Sequence, residues 1–198
     1  MADKPTDMLK KMWLILLLNL FLANCASGPD HEKCINFVVA LQEPLHVSMG
    51  VFNNYLTVMK KIITQEQANG WKSADSTLRD SLELYDKMLA ANNEQHMGKL
   101  QSLNEIDNNL KVKQETLYYL SMVDPVMKEA TPFLKLLCKD GISSFNKGTF
   151  EDINTKAQKL ILLGDELVDH LSQFQAKYKI TDDELHKHGL SYLPEKIQ

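Results

Sequence analysis

Apolar residues recur along most of the chain at alternating spacings of three and four positions. This spacing places them on one stripe of an α-helix, and such stripes pack against those of neighbouring helices. Four stretches show the pattern, and no stretch competes as a β-strand. The stripes are Ile35, Val38, Leu45, Met49, Phe52, Leu56, Met59 and Ile63; Leu78, Leu82, Tyr85 and Leu89; Val112, Thr116, Tyr119, Val123, Val126, Ala130, Phe133 and Leu137; and Phe150, Ile153, Ala157, Leu160, Gly164, Leu167, Leu171, Phe174 and Tyr178.

Polar and glycine-containing segments separate the stripes. They are Asn69-Gly70, the stretch that begins at Ala91-Asn92-Asn93, and Asp140-Gly141. Thr149, with Asp152 three positions later, predicts the start of the fourth helix, whereas residues 92–109 fit either neighbouring helix. Four long amphipathic helices with short links predict an all-α fold. We expect an antiparallel up-down-up-down four-helix bundle over residues 31–180.

The bundle topology makes a prediction about two of the cysteines. Cys34 lies at the start of the first helix and Cys138 at the end of the third, which runs parallel to the first. The two would therefore lie at opposite ends of a body about 40 Å long. A disulfide needs Cα atoms within about 7 Å of each other, so we expect no bond between them.

Proline interrupts two of the helical patterns, at Pro44 in the first and at Pro125 and Pro132 in the third. Each proline removes one intrahelical hydrogen bond and crowds the preceding turn. We expect bends near Leu41, Met122 and Glu129, and the third helix is expected to divide into two pieces.

An apolar segment, Met12 to Ala23, precedes the bundle and follows Lys10-Lys11. A positive start, an apolar segment and small residues at its end are typical of a cleaved export signal. Its twelve residues span roughly 18 Å as a helix, well short of the ~30 Å core of a bilayer, which disfavours a permanent span. We predict a cleaved signal helix over residues 1–24 and a short tether over 25–30.

The end of this segment, Leu22-Ala23-Asn24-Cys25, resembles the lipobox of bacterial lipoproteins, although Asn24 stands where Gly, Ala or Ser is usual. The resemblance covers residues 8–25; beyond them the chain is similar to the small helical lipoproteins of bacterial envelopes, an uncharacterised group, in architecture alone. It implies lipidation of Cys25, attachment to a membrane through that lipid, and a place in the cell envelope, anchored in the outer membrane or facing the periplasm or the exterior. The alternative is ordinary secretion, with cleavage near Ala23 or Ala26 and no lipid.

The charge balance argues against nucleic acid as a partner. Removal of residues 1–24 takes away three lysines and two aspartates, which changes the formal net charge from −4 to −5. Arg79 is the only arginine among 22 basic residues. Arginine is the side chain most used for bidentate contacts with phosphates and base edges.

Few residues indicate catalysis or metal binding. Glu43 and His46 fit half of a di-iron motif, but Glu166 and His170 are four positions apart where the second half needs three. The predicted polar C-terminal tail, residues 181–198, includes His186 and His188 beside three carboxylates, a candidate site for Zn²⁺ or Cu²⁺. No Gly-x-Ser-x-Gly, phosphate-binding loop, His-Glu-x-x-His or Cys-x-x-Cys-His motif is present.

These observations predict a non-enzymatic envelope protein with a binding or structural role, whose partner is another envelope component. The alternative is a periplasmic sensor or carrier that holds a small ligand, haem or metal within the bundle, in space opened by the three prolines. A secreted helical signalling protein is a third interpretation, but such proteins normally show long crossover links and disulfides.

Overall fold

The computed structural model describes residues 29–68, 76–140 and 145–190. These ranges form four long helices and one short helix, with no strand among them. The helices are α1 (His31–Ala68), α2 (Ser76–Ser102), α3 (Val112–Asp140), α4 (Lys147–Tyr178) and α5 (Asp182–Lys187). The predicted all-α fold is confirmed. The predicted signal helix over 1–24 and Cys25 lie outside the described residues.

Contacts between consecutive helices run in opposite sequence directions. On α3 and α4, Glu129 pairs with Lys156, whereas Glu115, earlier on α3, pairs with His170, later on α4. The corresponding contacts between α2 and α3 are Glu83–Lys135 and Asn93–Leu120. Neighbouring helices are therefore antiparallel, which gives the predicted up-down-up-down order.

The predicted stripes supply the core. Every predicted seam residue of α3 is buried, as are those of α4 from Ile153 to Phe174, while Phe150 and Tyr178 at the two ends are partly buried. α1 contributes the largest share, including Leu41, Phe52 and Tyr55, none more than 1% exposed. Removal of this apolar surface from water is the main term that stabilises the bundle.

Two helix boundaries differ from the sequence prediction. α2 continues to Ser102, so the ambiguous apolar residues after Asn92 belong mainly to the second helix. The predicted N-cap of α4 at Thr149 is wrong, because Asn146 occupies that position and its Oδ1 accepts a hydrogen bond from the Thr149 N–H at 3.0 Å. Asn is at least as good an N-cap as Thr, and the helix begins one turn earlier.

The third helix is not divided. Pro125 and Pro132 both lie inside the continuous helix α3, and Pro44 lies inside α1. Pro125 and Pro132 are exposed, and the residues whose carbonyls they leave without a helical donor, Ser121 and Lys128, are exposed too. Water can satisfy those carbonyls, so Pro125 and Pro132 do not break α3.

Cys34 and Cys138 are both buried, at the start of α1 and near the end of α3. No disulfide joins these two described cysteines. The prediction that they do not pair is confirmed, because the antiparallel topology places them at opposite ends of the bundle.

Helix α1 is also long and apolar enough, over His31–Thr64, to cross a membrane by length and composition alone. Most of its most apolar window, 61%, is buried inside the bundle. Packing against α2 and α3 therefore accounts for its composition.

Residues 181–190, the first part of the predicted polar tail, fold back on the bundle. Thr181 and Glu184 form a reciprocal capping box that starts α5. Leu185 is 3% exposed and belongs to the core. This short helix contacts α1, so the end of the described chain lies beside its beginning.

Candidate functional site

Aromatic side chains join helices α1 and α4 at one end of the bundle. At that end, the rings of Phe37 and Phe174 are 5.4 Å apart, and Phe174 also contacts Tyr178 at 4.5 Å between ring centroids. Taken over the whole helix, α1 packs more closely on α2 and α3 than on α4.

At the opposite end, α1 and α4 leave a groove of about 430 Å³, which we call the α1/α4 groove. Its lining comes from one face of each helix. The α1 residues are Leu56, Met59, Lys60, Ile63 and Thr64, and the α4 residues are Phe150, Asn154, Ala157, Gln158 and Ile161. The volume lies within the range of about 300–1,000 Å³ that is usual for small-molecule sites.

The side chain of Ala157 helps to explain why the groove is open. Ala157 occupies a buried position on the α4 seam. Its two neighbours on the seam, Ile153 and Leu160, both have large side chains. A methyl group at this position leaves space that a longer side chain would fill. Around it, Leu56 and Ile161 are only partly buried, although both are apolar.

The polar groups of the groove lie on its rim. Lys60 and Thr64 on α1 and Asn154 and Gln158 on α4 are all exposed. In the part of the chain that the structure describes, Lys60 forms no ion pair and is the only charged side chain that lines the groove. The groove therefore combines an apolar floor with a polar rim on which Lys60 supplies the single positive charge.

Buried polar contacts hold α1, α2 and α3 together beside the groove. The Tyr55 hydroxyl on α1 lies 2.9 Å from the Thr131 Oγ1 on α3, which also interacts with Asp86 on α2. Burial raises the pKa of Tyr55 well above its usual value and also raises the pKa of Asp86. Asn92 on α2 similarly donates to the Ser48 Oγ on α1 at 2.8 Å. These hydrogen bonds hold α1, α2 and α3 in position relative to one another, and α4 completes the bundle.

A smaller pocket of about 100 Å³ lies between α1 and α2. Ala40, Glu43, His96 and Lys99 are among its lining residues. Its volume is below the range of small-molecule sites. The α1/α4 groove is the better candidate.

The outer face of α3 carries a second feature, an apolar stripe that points away from the core. Tyr118, Met122 and Leu136 are 55%, 37% and 46% exposed. Together with Pro125 and Pro132 they follow alternating steps of four and three, and Glu129 fills the remaining position. We call these six residues the outer α3 stripe.

The four residues that resemble part of a di-iron motif do not come together. Glu43 and His46 are exposed on α1. His170 pairs instead with Glu115, with 2.7 Å between Nδ1 and Oε2, and Glu166 is exposed. A carboxylate-bridged site needs all these side chains to point into the core, so these four residues do not form one.

The two candidate metal ligands near the C-terminal end, His186 and His188, do not belong to a cluster of metal-binding side chains among the described residues. His186 is exposed on α5, and the His188 Nε2 lies 3.8 Å from Glu32 on α1. Among the described residues, no group of three or more His, Cys, Asp or Glu is arranged to hold a metal ion. The third predicted site residue, Cys25, lies outside the described ranges.

His31 instead forms a clasp that ties α5 to the start of α1. Its Nε2 lies 2.8 Å from the Glu184 Oε1, and its Nδ1 lies 3.1 Å from the Tyr178 carbonyl oxygen. Only the protonated ring can donate to both acceptors at once. The hydrogen bond to Glu184 accordingly raises the pKa of His31 above its ordinary value. Hydrogen bonds from Thr181 and His31 lower the pKa of Glu184 to about 2.

The clasp should therefore be strongest in mildly acidic solution. The stabilisation from His31 is complete below its ordinary pKa of 6.5 and is lost as the pH rises through its raised pKa. The stabilisation from Glu184 is complete above 4.5 and is lost as the pH falls towards about 2. We expect the NMR signals of the His31 ring to titrate with a midpoint above pH 6.5. In Glu184→Gln, that midpoint should move back towards pH 6.5. Titration of His31 unchanged by Glu184→Gln would contradict the clasp.

Sequence reasoning missed both the α1/α4 groove and the outer α3 stripe. A signal for the stripe was present, because residues 118 to 136 follow the same steps of four and three as the core seams. For the groove, the signal was the small Ala157 between the large seam residues Ile153 and Leu160. The prolines did not open it, since none of them is among the described residues that line it.

Comparison with protein-family models, curated proteins and solved structures found no match to this chain.

Proposed function

We propose that this protein is an exported, lipid-anchored helical bundle of the bacterial cell envelope that binds another envelope component and performs no catalysis. The outer α3 stripe is the observation that carries the binding role. Five of its six residues are apolar, and the sixth, Glu129, pairs with Lys156 on α4. Apolar side chains that cluster on the outside of a folded protein often mark interaction sites. A stripe with helical spacing suits a partner that presents a helix.

The anchor is supported by the sequence around Cys25 and by where the bundle begins. Helix α1 starts at His31, and the six residues from Cys25 to Asp30 can span at most about 20 Å. A lipidated Cys25 would hold the bundle close to the bilayer. Two or more acyl chains give stable attachment, because each buried CH₂ contributes about 0.8 kcal/mol.

Metabolic labelling tests the anchor. Cells that express the protein are grown with an alkyne-bearing palmitate analogue, and we expect label on the wild type but none on Cys25→Ser. The matched control is Cys34→Ser, whose thiol is buried at the start of α1 and should leave labelling unchanged. Equal label on wild type and Cys25→Ser would rule out lipidation at this cysteine.

Photo-crosslinking in intact cells tests the binding face. A photoreactive amino acid at position 122, on the outer α3 stripe, should give one defined crosslinked product. The control is position 162 on α4, where Leu162 is 62% exposed but does not belong to the stripe. Identical crosslinking patterns at the two positions would contradict a specific partner on α3. The Cys25→Ser variant, tested in parallel, separates loss of the anchor from loss of the partner.

The second candidate function is that of a carrier or sensor for a small ligand. The α1/α4 groove favours it, because its volume and its apolar floor are those of a ligand site. Among the described residues that line it, no His or Cys is present, so the geometry favours an organic ligand over haem or a metal.

A further inference from the structure

We infer that the α1/α4 groove binds a single-chain amphiphile with an anionic head group, its hydrocarbon chain on the floor and its head beside Lys60. This inference deepens the second candidate function and rests on it. Three features of the groove support it: the shape of the floor, the single positive charge on the rim, and the size and position of the groove in the bundle.

The floor of the groove is elongated and apolar. On α4 it runs from Phe150 through Ala157 to Ile161, a length of roughly 16 Å along the helix axis. On the facing helix, Met59 and Ile63 lie one turn apart and complete it. An unbranched hydrocarbon chain fills such a space along its length, whereas a compact ligand would leave part of the apolar floor in water.

The rim selects the sign of the head group. Lys60 is exposed and has no ion-pair partner among the described residues, and the other rim groups, such as Gln158, are neutral hydrogen-bonding side chains. A carboxylate, sulfate or phosphate head can accept a charge-assisted hydrogen bond from the Lys60 ammonium. A cationic head in the same place would be repelled, so charge complementarity favours an anion.

The size of the groove argues against a macromolecular occupant. An α-helix with its side chains is about 10–12 Å across, and a space of about 430 Å³ holds only a few of its side chains. The chain's own lipid is a less suitable occupant, because its attachment site is far from the groove. Leu56 lies 25 residues after His31 on α1, roughly 38 Å along the helix. We therefore expect a ligand from solution or from a membrane.

Calorimetric titration of the purified protein tests the inference, with dodecanoate as the probe below its micelle concentration. Dodecylamine, which has the same chain and a positive head, is the matched control ligand. We expect dodecanoate to bind with one site per chain and dodecylamine to bind more weakly. Binding of both ligands with equal affinity, or of neither, would overturn the inference.

Two pairs of neighbouring residues locate the site. Lys60→Gln should weaken dodecanoate binding about two- to fivefold, because an exposed ion pair contributes modestly, whereas Lys61→Gln should leave it unchanged. Ile161→Glu places a carboxylate on the apolar floor and should weaken binding at least about tenfold, whereas Leu162→Glu on the outer face should not. Equal effects within either pair would place the binding elsewhere and refute the assignment.

Sedimentation of the same variants addresses a competing occupant, a second copy of the chain. If the wild type is a dimer and Ile161→Glu makes it monomeric without any effect on dodecanoate, the groove is a subunit interface and the inference fails. These results are separable from the first proposed function. Loss of dodecanoate binding leaves the labelling of Cys25 and the crosslinking at position 122 unaffected, and failure of either of those leaves the titration result standing.

Discussion

Replacement of Leu167 by Ala is expected to lower the free energy of unfolding by about 3–4 kcal/mol. Leu167 is fully buried, at 0% exposure, in the middle of the α4 seam. The loss combines the hydrophobic transfer of the removed atoms with the cost of the cavity they leave. The cavity cannot collapse easily, because α4 is held to α3 on both sides of the site by Lys156–Glu129 and His170–Glu115. Urea unfolding followed by circular dichroism measures the change.

Leu162→Ala is the matched control for this experiment. It makes the same change on the same helix, five positions away, at a side chain that is 62% exposed. We expect the free energy of unfolding of Leu162→Ala to stay within about 0.5 kcal/mol of the wild-type value, because this side chain is mostly exposed. Both variants make the same small change in helix propensity, so the difference between them reports burial. If the two variants lose similar free energy with unchanged m-values, the α4 seam does not form the core as described.

This contrast between two leucines shows why the fold was predictable. The regular steps of three and four on α4 determine that Leu167 points inward, and the same count places Leu162 on the opposite side of the helix. Periodicity is a local property, so no knowledge of the other helices is needed to assign the buried face. Short links then make consecutive helices neighbours, and antiparallel order follows.

Helix ends and the fate of the prolines were harder to predict. Asn146 and Thr149 are both suitable N-caps, and sequence alone does not decide which one the backbone uses. The integrity of α3 depends on which way Pro125 and Pro132 face, since water can compensate an exposed carbonyl but not a buried one. A residue-level pattern gives the presence of a helix more reliably than its boundaries.

The candidate sites depend on distances between helices, which no stripe encodes. Lys60 has the same local sequence character as its neighbour Lys61, and only the placement of α4 brings Lys60 to the rim of a groove. The same holds for His31, whose clasp partner Glu184 is 153 residues away. The first part of the C-terminal segment, residues 181–190, has a polar sequence because Leu185, which is buried in the core, lies between charged side chains.

Asp107 joins the loop between α2 and α3 to the end of α4, and its removal should give the second large effect. It is only 4% exposed. Its Oδ1 accepts hydrogen bonds from the backbone N–H groups of Asn109 and Leu110, and its Oδ2 accepts from the Lys177 ammonium and the Tyr178 hydroxyl. Burial alone would raise the pKa of Asp107, but these donors outweigh it and hold the pKa below its ordinary value.

Asp107→Asn should therefore lower the free energy of unfolding by about 2–3 kcal/mol at neutral pH. The amide has the shape of the carboxylate, but it cannot accept charge-assisted hydrogen bonds on both sides, so Lys177 or the loop amides lose their acceptor. Asn108→Ala, at the exposed neighbouring position, is the control and should change stability by less than about 0.5 kcal/mol.

The pH dependence distinguishes loss of the charge from loss of packing. Because the pKa of Asp107 is lowered in the folded protein, its stabilisation is complete above the ordinary value of 3.8 and disappears as the pH falls through the folded-state pKa. The difference in unfolding free energy between wild type and Asp107→Asn should then shrink as urea titrations are moved from pH 7 to below pH 3. A difference that stays constant across this range would show that Asp107 acts through its shape, and the charged link between the loop and α4 would have to be abandoned.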